Sequence, residues 1–162
     1  MLKELVQSEV WQQAQDKIAV MLNKPVLVMD LRGQVLSTSG EFPFVCELAL
    51  KKAGQLCAAS RQVECNDITF AQCHAGLVNG IVPLVVDDIK IGYLVCTSLL
   101  PELPEEGKAK KASLAIGLDA DELYDHLQQT TITSKQDMQK AATILTTVAS
   151  LLPDIVHTIG TQ

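Results

Sequence analysis

Apolar positions at the start of the chain recur at helical spacing. Leu2, Leu5 and Val6 are followed by Trp11, Ala14, Ile18 and Met21. That period predicts one helix over residues 2–22. It ends at Asn23-Lys24-Pro25, because a proline pushes the residue before it out of helical space. The pattern then shortens. Val26-Leu27-Val28-Met29 is an apolar strand, Asp30-Leu31-Arg32-Gly33 a turn with glycine where positive φ is needed, and residues 34–37 the returning strand. Glu41 to Leu56 predicts a helix, with Pro43 in its first turn and Gly54 near its end. Residues 57–70 keep neither period, and are compatible with a short helix after Ser60 or an irregular loop.

The strongest β signal comes next. Ile81–Val86 and Ile89–Thr97 are nearly continuous apolar runs joined by Asp87-Asp88, a hairpin turn. Runs without alternation predict a sheet covered on both faces. Pro83 cannot donate to a ladder, so it belongs at an edge or a bulge. Helices follow: Glu105–Ile116 with Gly117 as its C-cap, then Ala120–Leu127 capped by Asp119. A long final helix begins at a capping box of Ser134 and Asp137. In it Met138, Ala141, Leu145, Val148, Leu152, Ile155 and Ile159 follow alternating steps of four and three. Such a stripe either covers the sheet or pairs two copies of the chain as a homodimer. Pro153 is expected to kink the helix.

This order predicts an α+β fold, an antiparallel sheet with helices packed around it and long N- and C-terminal helices. The general layout is that of PAS and GAF-like domains. A chain of 162 residues makes one domain with a proper core. The core is aliphatic, since aromatics are only 4%. Few stacking rings and a net charge of −6 argue against binding nucleic acid. Lys108, Lys110 and Lys111 read as the solvated face of a helix. No apolar run reaches the roughly 18 residues of a membrane span, and no membrane contact is expected. Lys3 and Glu4, followed by polar residues, do not make a signal peptide. The expectation is a cytoplasmic protein whose five cysteines are reduced.

Candidate chemistry gathers in the middle of the chain: Cys46, Cys57, Cys65, Cys73 and His74. Free cysteines often serve as small buried hydrophobes. The first functional reading is a pocket for a small molecule, lined by Cys73 and His74. The imidazole would donate from one nitrogen and accept at the other, and Gly76 would let backbone approach closely. The second reading is a metal ion or iron–sulfur cluster, serving as a redox sensor, on Cys46, Cys57, Cys73 and His74 with Cys65 as a substitute. No Cys-x-x-Cys pair supports it. A thiol redox sensor would need a lowered thiol pKa, and only His74 flanks Cys73. A cysteine-dependent enzyme has the least support, and the chain reads as no enzyme. Neighbouring strand residues point to opposite faces, so Cys73 and His74 form no dyad. A base would have to come from His126, which reads as a solvated or packing residue, or His157, which follows the apolar stripe toward the helix C-terminus. No phosphate loop or nucleophile elbow is present. Asp30 and Asp87-Asp88 read as turn chemistry.

Several of these pieces together resemble the PocR-type sensory domain, a variant of the PAS fold. They are Phe44-Val45-Cys46, Cys57 with Ala58-Ala59-Ser60, Cys73-His74-Ala75-Gly76-Leu77, Pro83-Leu84 and Ile91-Gly92-Tyr93-Leu94. The Cys-His-Ala-Gly-Leu run is the specific part, and the resemblance covers residues 26–103. It implies a single sensory domain over 1–162, with an N-terminal helix (1–22), a sensory core (25–103) and C-terminal helices (104–162). It further implies a small-molecule ligand, a hydrocarbon derivative such as a short alcohol or diol, in a site to which Cys46, Cys57, Cys73, His74 and Gly76 contribute. Cys96-Thr97-Ser98 departs from the Gly-Gln that often follows the family's last strand, which bears on ligand choice. No DNA-binding helix-turn-helix and no kinase or cyclase motif is visible, so the chain is expected to be either a fragment or a stand-alone sensor whose output is helix rearrangement read by a separate signalling protein.

Overall fold

A computed structural model describes residues 1–42, 67–72, 77–103, 105–116 and 119–160. The N-terminal stretch is two helices and not one: α1 (Leu2–Gln7) and α2 (Glu9–Leu22). The break is at Ser8, in extended backbone, with its hydroxyl accepting from Trp11 N. A serine offers this cap as readily inside an apolar run as at its end, so periodicity alone overlooked it. Helix α2 ends at Asn23, whose left-handed φ of 50° lets its N–H reach Ala19 O and Val20 O.

Strands β1 (Val26–Met29) and β2 (Val35–Ser39) form the first hairpin, with β1 where the pattern put it and the returning strand shifted slightly later. In its turn the Asp30 carboxylate accepts from Arg32 N and Gln34 N, and Gly33 takes φ 84°. Strand β3 (Thr69–Gln72) begins in the last two residues of the stretch expected to be helix or loop and runs past it. Strands β4 (Val78–Val86) and β5 (Ile89–Leu99) flank Asp87 and Asp88, at φ 52° and 64°, the two left-handed residues of a tight hairpin turn. The strand order is β2-β1-β5-β4-β3, antiparallel throughout. The β3 ladder ends at Thr69↔Ile81, so Pro83 lies past it, where β4 needs no N–H on that side.

Three helices follow: α3 (Glu106–Ile116), α4 (Ala120–Gln129) and α5 (Lys135–Gly160). Asp119 caps α4 through the N–H groups of Asp121 and Glu122, and the Ser134 hydroxyl accepts from Asp137 N. Lys108, Lys110 and Lys111 are exposed on α3. Helix α5 continues through Pro153 to Gly160. Glu41 and Phe42 are not helical, and the rest of the expected Glu41–Leu56 helix and the Gly117 cap lie outside the described residues.

Strand alternation divides the core in two. Val26, Val28, Val82, Leu84, Leu94 and Cys96 face one way and pack against Leu5, Trp11, Ile18, Leu145 and Leu152 of the terminal helices. Met138, Val148, Ile155 and Ile159 join the same cluster, and Ala141 is buried as well. The α5 stripe therefore packs toward the sheet through Ala141, Leu145 and Leu152, while Met138, Val148, Ile155 and Ile159 are half-buried. By length and composition alone, α5 also qualifies as a membrane-spanning helix, which the sequence pattern had not suggested. Its apolar window is 11% buried, with Leu145 and Leu152 as fully buried members of the core beside the sheet.

A polar seam fixes α2 on the sheet edge. The Gln15 carboxamide, with no exposed surface, accepts from Trp11 Nε1 (2.8 Å) and Ser37 Oγ (3.1 Å) and donates to Val26 O (3.4 Å). The Ser39 hydroxyl donates to Asp16 Oδ1 at 2.6 Å. Gln15→Leu leaves the buried Trp11 N–H without this acceptor. The expected loss is roughly 1–3 kcal/mol, read as a lower denaturation midpoint at unchanged slope.

Candidate functional site

The sheet face turned away from the terminal helices is the candidate site. Odd-numbered positions supply its floor: Leu27 and Met29 on β1, Ile81 on β4, Tyr93 and Val95 on β5. Leu27, Ile81 and Val95 have no exposed surface, Met29 has 1% and Tyr93 7%. Val35, Phe42 and Ala71 pack at the margin. The floor is apolar except for the Tyr93 hydroxyl, and Lys90 Nζ stands 5.6 Å from the centre of the Tyr93 ring. An apolar wall with few polar groups suits a small, weakly polar organic molecule.

Sequence reasoning did not single out these floor residues. The signal was present in the parity of the strands, since residues 27, 29, 81, 93 and 95 share one face while 26, 28, 82, 94 and 96 share the other. Reading it required the strand pairing, because uniformly apolar strands do not reveal which face meets the helices.

The residues that were singled out, Cys46, Cys57, Cys65, Cys73, His74 and Gly76, lie outside the described residues. Chain connectivity still relates three of them to the sheet. Gln72 of β3 pairs with Val78 of β4, so Cys73, His74 and Gly76 belong to the connection between those strands. Among the described residues no group of His, Cys, Asp and Glu could hold a metal ion. The four residues of the alternative metal reading are not among them.

Cys96 sits on the opposite face, in the helix-covered core, with no exposed surface. Burial pushes its thiol up to about 12, with nearby Lys24 opposing the shift. It is therefore a neutral packing group at ordinary pH and not a reactive thiol. His157 is exposed and His126 half-buried, each in the last turn of its helix.

Among the described residues, two clefts open beside the end of α2. One, of about 450 Å³, lies between the end of α2 and Gly40-Glu41. The other, of about 270 Å³, lies between the end of α2, Leu99 and the start of α5. Neither is lined by cysteine or histidine.

Comparison with known proteins agrees with the geometry. A family model described as the sensory domain found in PocR matches residues 4–156. No curated protein matches the chain. The match reaches well beyond residues 26–103, where the motif resemblance lay, and takes in α2 and nearly all of α5. The terminal helices are thus part of the family's domain and not additions to it. A match of this extent, on an antiparallel sheet sheathed by terminal helices, places the chain in the PocR sensory-domain family.

Proposed function

We propose that this domain is a cytoplasmic sensor that binds a small hydrocarbon derivative, such as a short alcohol or diol, over the sheet face turned away from the terminal helices. The observation carrying this reading is that face: a buried, aliphatic floor with one hydroxyl, beside the strand connection that contains Cys73 and His74. His74 supplies the hydrogen bond that orients the guest's hydroxyl group, and Gly76 allows close backbone approach. Cys73, Cys57 and Cys46 contribute polarisable, weakly polar wall. The output is a shift in the packing of α2 and α5, read by a separate signalling protein. It requires that the guest bind one helix arrangement more tightly than the other.

Calorimetric titration with propanediol and with short primary alcohols tests the reading. The native protein is expected to give saturable heat for at least one compound, and His74→Ala to weaken that binding by about tenfold, the worth of one oriented hydrogen bond. Unchanged affinity in the variant would remove His74 from the site. The alternative, a metal or iron–sulfur centre on Cys46, Cys57, Cys73 and His74, is decided on the same anaerobically purified protein. Stoichiometric zinc or iron by elemental analysis would replace the organic guest with a metal.

A further inference from the structure

The C-terminal end of β5 is where the sheet meets both terminal helical segments. Thr97 N donates to Pro25 O at 3.0 Å, and Lys24 Nζ donates to Ser98 O at 3.2 Å, tying the end of α2 to the strand. Thr133 then makes a reciprocal pair with Leu100: Thr133 N donates to Leu100 O (2.7 Å) and Leu100 N donates to Thr133 Oγ1 (2.9 Å). Thr133 precedes α5, and Lys140 in its second turn donates to Met21 O at 2.9 Å, which closes a ring from α2 through β5 to α5.

Within this ring the strand is irregular. Val78 pairs with Leu99 but Gly80 pairs with Cys96, so β5 carries an extra residue opposite Asn79. Ser98 takes up that excess at φ 67°, a conformation L-residues rarely adopt, while only 2% exposed. The cleft of about 270 Å³ borders Leu99 and Thr133, next to the bulge.

We infer that the Leu100–Thr133 pair is a latch through which the register of β4 against β5 sets the seating of α5. Val78 opens β4 directly after the connection that holds Cys73 and His74, and its partner Leu99 is the residue before the latch. A shift of Val78 along β5 slides the bulge at Ser98 and opens or closes the pair with Thr133. Thr133 is a positioning residue and touches no guest. The latch rests on the proposed sensing reading for its purpose, but its mechanical coupling exists without any ligand.

The test is therefore made on the ligand-free native protein, by hydrogen exchange resolved to short peptides. Thr133→Val keeps the branched shape and removes the Oγ1 acceptor. Exchange is expected to rise about tenfold at Leu100 and over residues 134–142, and together with it at residues 77–80 of β4, across β5 from Thr133. Residues 11–19 of α2 stay protected, and Thr133→Ser, which restores the oxygen, returns the native pattern. A rise confined to Leu100 and α5, an equal rise throughout the chain, or no rescue by serine would each overturn the latch. Absence of any heat with propanediol would instead count against the sensing reading and leave the exchange result standing.

Discussion

Leu145→Ala is expected to lower the unfolding free energy by about 2–5 kcal/mol, which for a domain of this size is a large share of its stability. Leu145 is fully buried where α5 crosses the sheet. Its Cδ1 lies 3.4 Å from the place a Cβ would occupy on Gly80, and the Phe70 ring lies 3.1 Å from the same point. Gly80 thus leaves a hollow in β4 that Leu145 and Phe70 fill, an aromatic from the paired strand covering a bare glycine. Shortening Leu145 opens a void bounded by rigid strand backbone, which collapses poorly. Urea titration should show a lower midpoint at an unchanged slope. Leu151→Ala, on the outer side of the same helix with 49% exposure, should stay within about 0.5 kcal/mol of the native protein. Equal losses for the two would mean that α5 does not pack as described.

Gly92→Ala carries the second large effect, and its cause is opposite. A Cβ at Gly92 would stand 2.6 Å from Met29 O and 2.8 Å from Leu2 Cδ2. The leucine can rotate, but the carbonyl belongs to β1, which is held along β5 by the Met29↔Tyr93 pairing. The added methyl must therefore spread the β1–β5 ladder. Overpacking of this kind costs roughly 1–3 kcal/mol, with the upper end expected where backbone and not a side chain must yield. The consequence reaches the candidate site, because Met29 and Tyr93 belong to its floor. A variant as stable as the native protein would show that this strand pair has slack that the geometry does not contain.

Much of the architecture was legible because local chemistry and tertiary role agreed. Asp87-Asp88 between two apolar runs announced the β4–β5 hairpin, and Asp119 and Ser134 announced their helices. The α5 stripe was visible as a pattern, but its contact with the sheet emerged only from the packing. Ser8 was missed since apolar spacing continues across it. Strand β3 was missed for another reason: Thr69–Gln72 is a short edge strand with alternating exposure, and its conformation comes from pairing with β4 and not from local preference. The role of Thr133 was illegible because its partner, Leu100, lies far away in sequence. For the site, the family motif pointed to Cys73 and His74, whereas the floor opposite the helices emerged only from strand register.

The central claim is that a guest on one face of the sheet alters the helices on the other. Trp11, the sole tryptophan, reports on that directly: it is fully buried among the terminal helices, and its indole N–H is held by Gln15. Titration with the compound that gives heat in calorimetry should produce a saturable change in Trp11 emission with the same midpoint. Heat that saturates while Trp11 emission stays constant would contradict the account.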